Sequence, residues 1–258
     1  MSARAVIDGR GVTKRFKGLT AIDNVDFSVP EGAIFGLIGP NGAGKSTLFN
    51  LITGYYPLTA GEIRFRGERI DGLPTWRRNR LGIARAFQIS KPFPALTVRE
   101  NVRVGATFGR PDGADPELVT DEALAVTGLG EVADRTAEGL TVGTLRKLEI
   151  ARALATRPAV LLADEPCAGL NPAETENMVA CLRAIRARGI AVWLVEHDMR
   201  AVMSVCEHIL VIDAGRKISE GTPQEVSNDP RVVEAYLGAP VDEEEVEEIL
   251  EGEHPSRE

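Results

Sequence analysis

Residues 39–47, Gly39-Pro40-Asn41-Gly42-Ala43-Gly44-Lys45-Ser46-Thr47, bring glycines, a lysine and hydroxyls together at a spacing that suits one task. Small residues let successive backbone N–H groups turn inward around an anion, and a following helix adds its unpaired first amides and the positive end of its dipole. With Gly39, Gly44, Lys45 and Ser46 in the fixed places, the pattern G-x-x-x-x-G-K-[ST] is that of a phosphate-binding loop. Lys45 can then reach the β- and γ-phosphates and the Ser46 hydroxyl can ligate Mg²⁺. The flanks agree, with an apolar strand expected over 33–38 and a helix over 48–52 closed by Gly54.

A phosphate cradle alone hydrolyses nothing; it needs a metal ligand and a group that orients water. Asp164 and Glu165 follow the apolar run 159–163. In that place Asp164 is expected to hold Mg²⁺ directly or from one shell out, and Glu165 to polarise the attacking water. Gln88, at the end of another expected strand, can bind both Mg²⁺ and water through its amide. His197, after the run 190–195, can donate to the γ-phosphate. The plain alternatives are an acidic helix start and a structural histidine.

These groups need a scaffold. Residues 159–163 and 190–195 are short, continuously apolar runs of the kind buried on both faces of a parallel sheet, and ligands bind at the carboxyl ends of such strands. Between them Asn171, Pro172 and Glu174 read as N-cap, first position and back-reaching partner of a helix that Gly189 stops. The repeating βαβα order predicts a parallel sheet with right-handed crossovers. Runs 6–16, 21–29 and 62–66 are polar on alternate residues and predict an antiparallel layer beside it. Residues 83–88 are expected to run from strand into loop. Pro92 and Pro94 then forbid regular structure, giving an expected hinge before Thr97 and Glu100 open a helical region by a capping box. That region extends to about residue 140, a further helix covers 144–154, and a hairpin over 208–219 precedes short helices ending near Gly238. The expected partition is a core of 1–90 and 145–240, a helical insertion of 91–144 and a tail of 241–258.

Composition limits the rest. The 258 residues, 43% apolar, suffice for one large α/β domain or two small ones. No apolar run nears the roughly 18 residues of a membrane span, and residues 1–10 lack a signal-peptide pattern. A cytoplasmic chain is expected, free to sit against a membrane through a partner. Cys167, Cys181 and Cys206 are isolated, without metal or redox spacing, and are expected to be buried thiols. The net charge of −8 lies in the tail, where nine acidic residues from Asp242 to Glu258 face Arg257. The body is formally neutral, which argues against nucleic acid as a partner. The tail is expected to be a solvated, partly helical end, with docking as the alternative.

As an ordered set, GPNGAGKST, Gln88, the LTVGT segment of 140–144, LLADEP, AGLN and the EHD histidine resemble the ATP-binding subunits of ABC transporters over nearly all of 5–238. Phrases such as LTAIDNVDFSV, GIARAFQ, LEIARALA and VEHDM look most like the ATPase of branched-chain amino acid importers. The resemblance implies a P-loop NTPase (RecA-like) fold with an antiparallel β subdomain and an inserted α-helical subdomain. It implies an ATP hydrolase coupled to transport, with ATP and Mg²⁺, at the cytoplasmic face of the membrane. Phe16 matches the aromatic that stacks on adenine, and Asn41, Gly42, Ala43 and Thr47 belong to the nucleotide loop. Gln88 matches the residue linking the site to the helical subdomain and the membrane subunits.

In that family the LSGGQ signature of one subunit contacts the γ-phosphate held by the other in a head-to-tail dimer. Here Thr141 keeps the hydroxyl and Gly143 one glycine, while Val142 and Thr144 depart from the pattern, which predicts a second, different ATPase subunit. Transmembrane permease subunits and an extracytoplasmic solute-binding protein are the other implied partners. Importers of urea, amides or other small solutes, a soluble ABC ATPase without a transport role, and a regulator that never turns over remain as alternatives.

Overall fold

The computed structural model describes residues 4–88, 91–109 and 113–237. The expected tail of 241–258, the end near Gly238 and residues 89–90 of the proline-rich loop lie outside them.

The chain opens with β1 (Ala5–Phe16) and β2 (Leu19–Pro30), then β3 (Ile34–Ile38), α1 (Lys45–Thr53), β4 (Ala60–Phe65), β5 (Glu68–Arg69), α2 (Thr75–Leu81) and β6 (Ile83–Ala86). The helices α3 (Val98–Phe108), α4 (Pro116–Thr127) and α5 (Val142–Leu154) follow. After these come β7 (Val160–Asp164), α6 (Pro172–Ala187), β8 (Ala191–Val195), α7 (Met199–Val205), β9 (His208–Asp213), β10 (Arg216–Gly221), α8 (Pro223–Ser227) and α9 (Pro230–Leu237).

Two sheets result. One has the order β10-β9-β3-β8-β7-β6, parallel except for the terminal β9–β10 hairpin. The other, β2-β1-β4-β5, is antiparallel. Every residue of β3, β7 and β8 is buried, because both faces of the parallel sheet are covered. The two-residue period sorts their side chains. Phe35, Leu37, Leu162 and Trp193 join Val12, Ile22, Ile63 and the α1 residues Leu48, Phe49 and Ile52 under the antiparallel layer. Ile34, Ile38, Leu161, Ala163, Val192 and Leu194 face the helices, packing with Val102, Leu124, Leu148 and Leu182.

The capping boxes at Thr97/Glu100, Asn171/Glu174 and Thr222/Glu225 are all formed. All three cysteines are free and buried, and burial pushes the Cys181 thiol up to about 11 and Cys206 to about 12. No helix of the described residues is long and apolar enough to cross a membrane.

Besides the short strand β5, three elements differ from expectation. α5 begins at Val142, because Thr141 is its N-cap and accepts from the Thr144 N–H at 3.3 Å. α7 was not expected, although Asp198 caps it by accepting from Ala201 N–H. α2 was not expected either, for a physical reason: its one buried residue is Arg78, so it has no apolar stripe. The Arg78 guanidinium donates to the carbonyls of Leu73, Leu51, Ile52 and Asp71 at 2.7–2.9 Å. Two of those carbonyls end α1: Leu51 also accepts from the Gly54 N–H, while Ile52 has the guanidinium in place of a backbone donor, and the cation opposes the negative end of the helix dipole.

Candidate functional site

The loop of 39–47 leaves β3 through Gly39, whose φ is 152°; a Cβ there would stand 2.0 Å from the Ile212 carbonyl oxygen of β9. Gly44, φ 106°, is the N-cap of α1 and supplies no side-chain cap. The first amides of α1, at Lys45, Ser46 and Thr47, therefore have neither an intrahelical acceptor nor an acidic neighbour in the first turn. Asn41 and Gly42 are exposed at the loop tip, and Ala43 is buried with its N–H on the Pro40 carbonyl at 3.1 Å. A Cβ on Gly42 would meet nothing within 4 Å. The loop thus closes tightly against β9 on one side and opens on the other, as a phosphate cradle must.

The Lys45 side chain is buried, and its ammonium donates to the carbonyls of Gly39 at 2.5 Å and Pro40 at 2.9 Å. Burial lowers its pKa, against the opposing pull of Glu165 and Asp164. The loop itself holds this cation at the mouth of the cradle.

At the end of β7 the backbone turns sharply. Glu165 has φ 49°, a left-handed conformation that costs a non-glycine residue energy, and its N–H is pinned to the Val195 carbonyl at 2.9 Å. Its carboxylate is engaged at both oxygens: the Gln88 amide donates to Oε2, and His197 Nε2 lies 2.7 Å from Oε1. Asp164, one residue earlier and 5% exposed, accepts from Arg85 Nη2 at 2.5 Å through Oδ2. Lys45, Gln88, Asp164, Glu165 and His197, separated by up to 152 positions in sequence, thus form one electrostatic cluster.

Ser46, Arg85, Gln88 and Asp164 line one cleft of about 700 Å³ whose lining also includes Gly105 of α3 and Glu149 of α5. Among the described residues no group of three His, Cys, Asp or Glu side chains forms a protein-only metal cage. A hydroxyl, a carboxylate and an amide around one cleft are instead what Mg²⁺ takes when phosphates and water complete its octahedron. These residues fit that ion.

A family model described as "ABC transporter" matches residues 22–168, and one described as "Branched-chain amino acid ATP-binding cassette transporter" matches 216–242. The chain belongs to the ABC transporter ATP-binding proteins. It is similar to the high-affinity branched-chain amino acid transport ATP-binding protein BraF of Pseudomonas aeruginosa, 40% identical over 92% of this chain and 99% of that protein. LivG of Escherichia coli, of the same description, is 38% identical over the same shares. Among solved structures, a nucleotide-free ATP-binding cassette from an ABC transporter superposes with TM-score 0.82 at 31% identity, covering 91% of this chain and all of that one. The post-hydrolysis dimer of the cassette MJ0796 bound to ADP and Pi gives 0.74 at 28%, covering 84% and 98%.

Other residues of this ABC cassette stand apart from the cluster among the described residues. Phe16, half-buried at the β1–β2 turn, meets Tyr56 edge-on with centroids 5.1 Å apart, and Lys14 Nζ lies 4.7 Å from its ring centre. Thr141 and Gly143 start α5 beside the start of α6, and a Cβ on Gly143 would come within 2.8 Å of Glu174 Oε1. The Thr141 hydroxyl is paired with that of Thr144 at 3.0 Å.

Two charged residues of the cassette escaped the sequence reading. One is Arg85 of β6, whose guanidinium pairs with Asp164. Glu196, 2% exposed, accepts from the Cys167 N–H at 2.6 Å and the His197 N–H at 3.2 Å, joining the strand ends that carry Glu165 and His197. Burial pushes its carboxyl pKa up against those hydrogen bonds. A glutamate ending an apolar run directly before His197 was the available signal.

Proposed function

We propose that this chain is the ATP-hydrolysing subunit of an importer for branched-chain amino acids, peripheral at the cytoplasmic face of the membrane. The observation that carries the catalytic part is the Glu165 carboxylate, held at the end of β7 by Gln88 on one oxygen and His197 on the other. The likeness to BraF over 99% of that protein, with the C-terminal match at 216–242, supports the class of cargo.

In this reading the loop of 39–47 binds the ATP phosphates, Lys45 exchanges the Gly39 and Pro40 carbonyls for phosphate oxygens, and Phe16 stacks on adenine. Ser46, Asp164 and Gln88 would hold Mg²⁺, which neutralises charge on the phosphates. Glu165 takes the proton of the attacking water, and His197 orients Glu165 and donates to the γ-phosphate. Thr141 and Gly143 serve the nucleotide of an opposing subunit in a head-to-tail dimer, and the departures at Val142 and Thr144 support a different ATPase as that partner. Residues 91–144 act as a helical subdomain between the core of 1–90 and 145–240 and the permease subunits. Exposed Phe87 and Phe93 flank the segment that would meet them. The tail of 241–258 remains outside this machinery, and an extracytoplasmic binding protein selects the solute.

The test is purification of the chain with its membrane subunits, reconstitution in vesicles, and ATPase measurement with a binding protein loaded with leucine, isoleucine, valine, urea or an amide. Stimulation by the branched-chain amino acids is expected. Stimulation by urea or an amide alone would move the cargo, and failure to co-purify with any membrane protein would overturn the transport role.

A further inference from the structure

Arg85 reaches from β6 into the interior with its side chain 9% exposed. Its guanidinium forks: Nη1 donates to Asn50 Oδ1 on α1 at 2.6 Å, and Nη2 to Asp164 Oδ2 at the end of β7 at 2.5 Å. The group lies between two aromatic rings, its central carbon 5.8 Å from the centre of Phe49 and 4.8 Å from that of Phe87. The buried Nε has no hydrogen-bond partner among the described residues.

A buried ion pair with one orphaned donor is a poor way to gain stability, since desolvation offsets most of the attraction. It does fix geometry. A planar guanidinium with one arm on each of two elements sets their spacing, which the point charge of a lysine cannot do. The two elements are those that carry Ser46 and Asp164, residues lining the same cleft as Arg85.

We infer that Arg85 is a positioning residue for the divalent cation. It holds α1 and the end of β7 at the separation that lets the Ser46 hydroxyl and the Asp164 carboxylate serve one ion, and by engaging Oδ2 it leaves Oδ1 of Asp164 for that ion. This rests on the reading of the cleft as a Mg²⁺–ATP site. Groups that orient metal ligands without touching the metal commonly change affinity by about 10–100-fold when removed.

The test uses the full chain carrying Glu165→Gln, so that ATP is not turned over, with Mn²⁺ as the probe followed by electron paramagnetic resonance. Adding Arg85→Met is expected to weaken Mn²⁺ binding to the ATP complex by about tenfold and to alter the Mn²⁺ spectrum. Affinity for ATP in EDTA should stay within about twofold, because the phosphate amides are untouched. Arg85→Lys, which keeps the charge but not the fork, should also weaken Mn²⁺ and carries the test if the methionine variant does not fold. Unchanged Mn²⁺ affinity in the folded variant would overturn the role of Arg85. A parent chain that binds ATP but no Mn²⁺ would overturn the metal site itself.

Discussion

His197 Nε2 and Glu165 Oε1 meet at 2.7 Å across the carboxyl ends of β8 and β7. Because the pair is a single unit, its members should not contribute independently. Glu165→Gln and His197→Ala are each expected to lower ATP turnover by about 10²–10⁴-fold, and the double variant to be no slower than the slower single one. Steady-state ATPase assays of the chain with its membrane subunits decide this. Losses that multiply would mean that His197 acts mainly through its proposed contact to the γ-phosphate and not through its hold on Glu165.

The two ends of the loop predict different failures. Gly39→Ala places a methyl 2.0 Å from the Ile212 carbonyl, which only a shift of β9 can relieve, so soluble folded protein should be lost. At Gly42, φ 82°, the added methyl meets open space and the cost is backbone strain of about 1–2 kcal/mol. Gly42→Ala should therefore fold with a slightly lower Tm and bind ATP more weakly. Thermal melts and nucleotide titration of the two variants separate these outcomes.

Arg78→Met should leave the carbonyls of Ile52, Leu73 and Asp71 without this donor, while the Leu51 carbonyl keeps the Gly54 N–H. At about 1–3 kcal/mol for the buried Ile52 acceptor and less for the part-buried carbonyls of Leu73 and Asp71, a loss of about 2–4 kcal/mol in urea unfolding is expected. A loss below about 1 kcal/mol would mean that water replaces the guanidinium at every carbonyl.

Which parts of this molecule could be read from the chain follows from the same chemistry. β3, β7 and β8 were legible because burial on both faces leaves an uninterrupted apolar run, and the helices opened by Thr97, Asn171 and Thr222 because capping is local. The helix around Arg78 was not, because a cation buried on carbonyls looks like surface in a sequence. Arg85 was hidden for the same reason: its partners lie 35 positions before it and 79 after. The cradle, by contrast, carries all its chemistry within 39–47, and Asp164, Glu165 and His197 stand at strand ends that announce themselves.

Glu196 gives the cassette a signed pH dependence. Burial raises its carboxyl pKa above the ordinary 4.5, so the folded chain holds that proton more tightly than the unfolded chain does. The stabilisation from this group is fully present below 4.5 and is lost as pH rises from there through the raised value. Glu196→Gln should remove that decline: its stability relative to the native chain should grow with pH across this window. Urea midpoints of both proteins at a series of pH values measure the difference. Parallel curves would show that Glu196 titrates alike in both states.

The start of α5, capped by Thr141, bears on how the chain pairs with a second ATPase. Val142, 52% exposed, follows the N-cap Thr141, whose hydroxyl oxygen accepts from the Thr144 N–H and pairs with the Thr144 hydroxyl, while Gly143 must stay small to clear Glu174. A branched, exposed side chain at Val142 and the missing glutamine at Thr144 make this a poor surface for another subunit's γ-phosphate. Losing one well-placed donor there costs about 3 kcal/mol in the transition state. Chains carrying Glu165→Gln should thus bind Mg-ATP and remain monomeric by light scattering. Adding Val142→Gly and Thr144→Gln should convert them to ATP-dependent dimers, at a helix-stability cost of about 1 kcal/mol for the glycine. If Glu165→Gln alone already dimerises with ATP, the native segment is an adequate signature and two copies of this chain suffice for the motor. If only the repaired chain dimerises, the native partner is a different ATPase that brings the better signature to the Lys45 site.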